Sequence, residues 1–510
     1  MSNIYIYLEY LKKNYINFCI IFFIWSSLFV SLNTNFASIF VLFDEFNYTN
    51  VLKARSFFVL ISAFIIIFFI FKNKINLKNN FFYFLLLSIL IIQSFYFFSD
   101  EFDLIKNFTL TNIYENNLFS DRKYGIQLQA IQLFISIFIS LFLMIIFNKK
   151  KNEKAFIVTF LIFLIIFCTF YFSLYVASLP SHLNSEDILF YYNSFFAHGS
   201  QIIDGEPSIK ITGLGRSLLI ISIIFFCLYL LFKKKLPLKF TLLLLLIFIN
   251  TSIILTGSRF ALYSLFLTYF FLIIFLNLSI SRKIKYLIIF LFIPILLFNV
   301  TGNILKNLQL NKLLNSKNLN LNIINIENLN INNVEKDSEE YKKLLRIYTE
   351  KKLDESLGKR YIERLNDTSG RVQIWQNAYE ISIKRGNHFF GNGINADRRL
   401  LVKYGNKFGT NASNGFINIY LTSGILGLVF FILANLIILR KIYDFIFFQK
   451  CFSNFKKFYV VNISIIIIFI FYQRIFFENS ITSFGVDYLI FIVCSYFLLN
   501  NIKNLEIDKI

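Results

Sequence analysis

Glycines and cationic side chains gather in the last third of the chain, in a pattern that could bind phosphate. Gly391 and Gly393 permit tight backbone turns where a side chain would block the close approach of a ligand. Arg371 and Arg398 offer forked guanidinium donors that suit phosphate oxygens, and Asp397 adds a carboxylate. Each residue alone is also typical of an ordinary loop. These residue types therefore leave two interpretations open, a phosphate site and an ordinary loop.

Two further arginines, Arg216 and Arg259, lie at the predicted outer ends of apolar segments, where cations are otherwise scarce. An ionisable group at membrane depth indicates function, which makes Arg259 a candidate site residue. The alternative for Arg259 is contact with the outer lipid headgroups. Arg216 falls in the first turn of a predicted helix, whose dipole disfavours a cation. A bound phosphate, Asp204 or Glu206 would each compensate that charge.

The sequence does not assign a general base. The three histidines of the chain are His182, His198 and His388. The external carboxylates considered for the role are Asp44, Glu45, Glu186, Asp187 and Asp397. No nucleotide or metal motif stands out, and the cysteines have no paired spacing, so we expect no cofactor, metal site or disulfide framework.

The composition excludes a soluble enzyme, because 56% of the 510 residues are hydrophobic and only 16% are charged. Long apolar blocks separated by short Lys-rich segments predict an all-α polytopic membrane protein with about 12 transmembrane helices. The spans are predicted near residues 15–32, 56–71, 81–98, 126–147, 155–175, 211–232, 240–255, 260–276, 286–300, 415–439, 458–476 and 485–500. The apolar segment 240–276 would be about 55 Å long as one helix, against a hydrocarbon core of about 30 Å, so a break is predicted at 256–259.

The distribution of lysine and arginine predicts the orientation. The net charge of +21 could suggest nucleic acid, but among the short loops the cationic side chains collect in alternate ones, which are therefore predicted to be cytoplasmic. Both termini are then cytoplasmic. Residues 1–300 form nine helices, 301–414 form a large periplasmic loop before the tenth helix, and 415–510 form the last three. The stretch 303–334 in that loop is Asn-rich and of low complexity.

The order of the motifs from Ser369 to Gly427 resembles the O-antigen ligase/polymerase superfamily. The shared features are Gly370-Arg371 followed by Trp375, the turn Gly391-Asn392-Gly393, and Asn414 followed after nine residues by Gly424 and Gly427. Two earlier segments, 210–216 and 256–259, also fit. The resemblance implies transfer of glycans from undecaprenyl pyrophosphate in a bacterial inner membrane, with lipid-linked oligosaccharides and the bilayer as partners, no nucleic acid, and a chain-length regulator as a further candidate partner.

One position departs from the superfamily pattern. Ser413 stands where the ligase branch has a histidine thought to activate the acceptor hydroxyl, and a serine has no comparable basicity. His388 lies in the same loop and is the alternative base. The block 393–400 with Ala412-Ser413-Asn414 looks more like O-antigen polymerases, so we predict a polymerase. A ligase acting on lipid A-core, and a flippase or transporter without glycosyl transfer, are the competing hypotheses.

The resemblance also gives the candidate site residues their roles. Arg259 and Arg371 would stabilise the diphosphate, and the base is left open. The predicted substrate-binding residues are Arg216, Gly391, Gly393, Asp397, Arg398, Ser413 and Asn414.

Overall fold

A computed structural model shows the chain as helices joined by turns. It describes residues 19–30, 81–94, 156–170, 211–232, 236–255, 259–298, 371–385, 387–394, 396–397, 400, 414–455, 457–476 and 485–500, and single positions at 32, 57, 58, 60, 61, 63, 64, 67, 135, 137, 139, 172, 173 and 300. The helices are α1 (Cys19–Val30), α2 (Phe81–Ser94), α3 (Phe156–Phe170), α4 (Ile211–Leu231), α5 (Leu236–Leu255), α6 (Arg259–Phe275), α7 (Ile280–Leu287), α8 (Arg371–Arg385), α9 (Gly415–Tyr443), α10 (Tyr459–Ile475) and α11 (Val486–Leu499). Short π-helical segments, Ile288–Phe292 and Asp444–Phe448, continue α7 and α9.

The helices confirm the predicted all-α polytopic membrane fold, and no strand occurs in the described ranges. Three of the described helical stretches, Leu214–Leu231, Pro237–Ile254 and Gly415–Phe448, are long and apolar enough to cross a membrane, and shorter apolar helices accompany them. The number of spans and their orientation stay predictions. Most of the spans predicted at 56–71 and 126–147, and the Asn-rich stretch 303–334, lie outside the described residues.

The predicted break in the apolar segment 240–276 is confirmed, because α5 ends at Leu255 and α6 begins at Arg259. None of the five cysteines forms a disulfide in the structure.

The chain forms two compact units. Unit 1 comprises Met1–Ile166, Phe275–Asn277 and Gly370–Ile510, and unit 2 comprises Phe167–Ile274 and Leu278–Ser369. The division into nine helices, a periplasmic loop and three further helices stays a prediction.

A buried polar cluster ties together four helical segments of unit 2. Ser222 Oγ donates to Asn250 Oδ1 at 2.6 Å and lies 2.8 Å from the Tyr269 hydroxyl. Asn250 Nδ2 donates to the carbonyl oxygen of Phe290, in the π-helical segment, at 2.9 Å. Such interhelical hydrogen bonds contribute about 0.6 kcal/mol each in a membrane, and they satisfy polar groups that lipid would leave unpaired.

In unit 1, α2 packs along α9, and α10 packs against α11. Trp25 of α1 is fully buried against Phe156 and Phe160 of α3, with ring centroids 4.8 and 5.0 Å apart. This aromatic packing holds the early helices together, while the motifs predicted from the sequence lie on α8, α9 and the turn between them.

Candidate functional site

Helix α9 is interrupted at Gly424, whose backbone dihedral angles are φ 66° and ψ −164°. The run of apolar residues on both sides favours a continuous membrane helix, and only this residue departs from helical geometry in α9. An interruption frees backbone N–H and C=O groups that lipid cannot satisfy, so irregular backbone at membrane depth must be covered by protein.

The turn formed by residues 387–393 covers the interruption from one side by accepting hydrogen bonds. Ile425 N donates to the carbonyl oxygen of His388 at 2.8 Å, and Leu426 N donates to that of Phe389 at 3.2 Å. Both N–H groups would otherwise have donated to carbonyls one helical turn earlier in α9. The turn therefore supplies the acceptors that the interrupted helix has lost.

The same turn also supplies the missing donors. Asn392 N donates to the carbonyl oxygen of Leu421 and Gly393 N to that of Thr422, each at 2.9 Å. The Asn392 side-chain Nδ2 adds a second bond to the Leu421 carbonyl at 3.3 Å. Four backbone hydrogen bonds to the turn thus replace the two helical hydrogen bonds that are lost at the interruption, and they fix the turn on α9.

The close approach of the two backbones explains two glycines of the sequence motif. A Cβ atom added to Gly391 would lie 2.5 Å from Ser423 N, and one added to Gly424 would lie 2.6 Å from Gly391 N. Gly391 and Gly393 also have positive φ angles, 74° and 82°, which L side chains rarely adopt. The Gly-x-Gly turn therefore packs directly on the first glycine of Gly-x-x-Gly, and each glycine is needed for that contact.

A glutamine that the sequence analysis did not identify supports the interrupted helix from α2. The buried Gln93 Nε2 donates to Ser423 Oγ at 2.8 Å and to Thr422 Oγ1 at 3.1 Å. Thr422 Oγ1 in turn donates to the Asn418 carbonyl at 2.8 Å. The signal in the sequence is a single amide near the outer end of a predicted apolar span, which periodicity does not connect to α9.

Asn414 caps the N-terminus of α9. Its Oδ1 accepts from Phe416 N at 2.9 Å and from Ile417 N at 3.1 Å, so two otherwise unpaired N–H groups are satisfied. Its Nδ2 donates to the carbonyl oxygen of Phe476, the residue after α10, at 3.4 Å. The motif asparagine therefore fixes the start of α9 and links it to the end of α10. Ser413 lies outside the described residues.

Asp397 follows the docked turn and is buried. Its neighbours Ala396 and Leu400 pack with Ile374 of α8 and Leu421 of α9 in one apolar cluster. This cluster holds α8 against the first part of α9, so the turn is anchored on both sides. Substrate contact by Asp397 stays a prediction.

Arg216 lies in α4 of unit 2 and is buried. Its guanidinium stands over the ring of Phe167, 5.6 Å from the ring centroid, and Nη2 donates to Ser217 Oγ at 3.3 Å. The ring provides a cation–π contact that the sequence analysis did not consider. Asp204 and Glu206, the predicted anionic neighbours, lie outside the described residues.

Of four other predicted residues, two are placed by their backbone alone and two are not described. Arg259 is the first residue of α6 and Arg371 is the first residue of α8. The side chains of both, and the residues Arg398 and Ser413, lie outside the described part of the structure. Their roles stay predictions.

A buried ion pair joins α10 to α11. Arg474 Nη1 lies 3.2 Å from Asp487 Oδ2, and the two side chains are 5% and 4% exposed. Arg474 is in the last turn of α10 and Asp487 in the first turn of α11, so each charge sits where a helix dipole favours it. Glu478, four residues after Arg474, is the partner that helical spacing would suggest, and it lies outside the described residues.

His388 is half-buried on the docked turn, and its Nδ1 lies 3.0 Å from the hydroxyl of Tyr420 on α9. The next two residues, Phe389 and Phe390, are 56% and 50% exposed, and their rings pack edge to face. The turn thus combines a polar pair with an exposed aromatic pair.

The comparison with protein families agrees with this geometry. Residues 242–432 match the family model described as O-antigen ligase, and that stretch includes the docked turn, the Asn414 cap and the interruption at Gly424. The match supports membership of the chain in the O-antigen ligase/polymerase superfamily. No curated protein and no solved structure matches it.

Superfamily membership indicates a membrane protein with an O-antigen ligase/polymerase type of function, which is a form of glycosyl transfer on lipid-linked glycans. The matched stretch does not include Gln93, Arg216, Arg474 or Asp487. These four buried polar residues therefore belong to parts of the chain on which the family match makes no statement.

Proposed function

We propose that the protein is an O-antigen polymerase, which joins undecaprenyl-pyrophosphate-linked oligosaccharide repeat units at the periplasmic face of the inner membrane. The proposal rests on the presence of a serine at position 413. This serine directly precedes the Asn414 cap of a superfamily scaffold, at the position where the ligase branch has a histidine. A ligase acting on lipid A-core is the second candidate, and it would have to work without that imidazole.

The proposed reaction transfers a glycan between two lipid-linked units. An acceptor hydroxyl attacks the anomeric carbon of the donor glycan, and a new glycosidic bond forms with inversion. The bond from that carbon to the diphosphate oxygen breaks, and undecaprenyl pyrophosphate leaves with the bonding electrons. The hydroxyl proton passes to a base. Negative charge develops on the diphosphate, and fixed cations stabilise it best in a site of low dielectric constant.

We assign that stabilisation to Arg259 and Arg371, which begin helices α6 and α8. The proposed substrate contacts are those of Arg216, Gly391, Gly393, Asp397, Arg398, Ser413 and Asn414. In the proposed orientation both termini are cytoplasmic, the active site faces the periplasm, and a chain-length regulator is a candidate partner.

A lipopolysaccharide gel on a deletion strain tests the function. If the protein is the polymerase, the ladder should collapse to core carrying a single repeat unit, because units are still translocated and ligated but not joined. Bare core, with glycan accumulating on the lipid carrier, would instead indicate a ligase or a flippase. An unchanged ladder would contradict a role in O-antigen. Lengthening of lipid-linked units by the purified protein would eliminate a flippase.

Removal of either proposed diphosphate-binding arginine should strongly reduce polymer formation. We expect Arg259→Ala and Arg371→Ala each to lower the rate about 10²–10³-fold at unchanged protein level, the cost of losing one electrostatic donor. Lysine should restore activity in part if a point charge suffices, and poorly if the forked geometry is required. Lys384→Ala, which removes an exposed cation from α8, is the matched control and should leave the rate unchanged. Full activity in both alanine variants would contradict the assignment.

A further inference from the structure

We propose that His388 is the general base of this enzyme: it takes the proton of the acceptor hydroxyl, and Tyr420 orients its imidazole. The proposal rests on the polymerase function above, and it fills the one catalytic role that the sequence left open.

The backbone of His388 is held rigidly by α9. Its carbonyl oxygen accepts from Ile425 N at 2.8 Å, and the remaining bonds of the docked turn fix the chain on either side. Because Gly391 and Gly424 are in backbone contact, the turn has no room to shift along the helix. A base held on such a scaffold is preorganised, as catalytic proton transfer requires.

The side chain of His388 is oriented as well. The Tyr420 hydroxyl lies 3.0 Å from Nδ1 and holds the imidazole ring in place. A hydroxyl group both donates and accepts, so this contact is compatible with either tautomer. In the tautomer whose Nδ1–H donates to the hydroxyl oxygen, Nε2 carries the lone pair that would take the substrate proton. An imidazole nitrogen can act as a general base, and the hydroxyl of the serine at position 413 has no comparable basicity.

The position of His388 fits a substrate with a lipid end and a sugar end. The exposed rings of Phe389 and Phe390 directly follow the half-buried imidazole. In the proposed orientation, Arg440 and Lys441 mark the cytoplasmic end of α9. Gly424 is 16 residues (440 − 424) before Arg440, or about 24 Å along the helix at 1.5 Å per residue. The turn then lies near the outer edge of the hydrocarbon core, where a lipid carrier meets its glycan.

The proton transfer to His388 is part of the glycosyl transfer proposed above. As the acceptor oxygen bonds to the anomeric carbon, its proton moves to Nε2 of His388, which becomes imidazolium. The anomeric carbon–oxygen bond to the diphosphate breaks, and undecaprenyl pyrophosphate carries the negative charge. The imidazolium then returns its proton to solvent for the next cycle.

The test uses the purified full-length protein and lipid-linked repeat units, with elongation measured at varied substrate concentration. His388→Asn keeps an amide near the Nδ1 position for Tyr420 but removes the base. We expect kcat to fall about 10²–10⁴-fold, the usual contribution of general-base catalysis, with KM changed less than about twofold. Tyr420→Phe should lower kcat by a smaller factor, because the base is present but poorly oriented.

Controls separate catalysis from folding and from the proposed function itself. His198→Asn removes another histidine and should retain wild-type kcat. Wild-type thermal stability in His388→Asn is expected, and an unstable variant would be replaced by His388→Gln in the same assay. Wild-type kcat in a stable His388 variant would overturn the base assignment while the polymerase function stands. Failure of the wild-type protein to elongate its substrate would overturn both.

Discussion

Replacing Gly424 by alanine is expected to abolish polymer formation and to destabilise unit 1. The φ and ψ angles of Gly424, 66° and −164°, lie in a region that is nearly restricted to glycine, and another residue there costs about 1–3 kcal/mol. The added Cβ would also lie 2.6 Å from Gly391 N, and backbone atoms on both sides leave no flexible group to move away.

The substitution should therefore expel the turn from α9. Four backbone hydrogen bonds hold that turn, and at about 1 kcal/mol each their loss adds roughly 4 kcal/mol. Gly391→Ala should have the same effect, because it places a Cβ at the same contact. The measurements are the O-antigen ladder in a complemented deletion strain and the thermal midpoint of the purified protein.

Gly485→Ala is the matched control. Gly485 precedes α11, and a Cβ added there meets nothing within 4 Å. The loss of a glycine N-cap should cost at most about 1 kcal/mol, and the ladder should stay intact. If Gly424→Ala retained both the wild-type ladder and the wild-type thermal midpoint, the docked turn would have no importance for fold or function.

Neutralising Asp487 is expected to be the second severe change. The Arg474–Asp487 pair is almost fully buried, so Asp487→Asn removes the anionic partner of a buried cation. Breaking a buried pair in this way costs about 3–5 kcal/mol, which is a large part of the stability of a protein domain. Arg474→Gln should be equally harmful, because it removes the cation that is paired with the buried carboxylate.

The double variant Arg474→Met, Asp487→Leu should recover most of that stability. Apolar residues of similar volume often replace a buried ion pair at no cost, because the penalty for removing two charges from water disappears. The exposed pair Glu380–Lys384, with side chains 62% and 78% exposed, provides the control: Glu380→Gln should leave the thermal midpoint unchanged. A double variant as unstable as Asp487→Asn would show that the two charges are needed for more than each other.

The sequence by itself determined the features that depend on neighbouring residues. Apolar runs of membrane length, and the break between Leu255 and Arg259, follow from composition along the chain. The spacing of Asn414, Gly391 and Gly424 carried the resemblance to the superfamily, whose family model matches residues 242–432. Each of these signals is local, so periodicity and spacing reveal it.

Only the tertiary structure decided what those residues contact. The glycines at 391 and 424 are 33 positions apart (424 − 391), and no local rule predicts that their backbones touch. Gln93 donates to Ser423 from a helix more than 300 residues earlier, and Arg474 of α10 pairs with Asp487 of α11. Such contacts depend on how helices pack, and many packings bury the same apolar surface equally well. The polar side chains and the glycines make their contacts in only one arrangement of the helices, so they select that arrangement. These contacts are visible only in the tertiary structure.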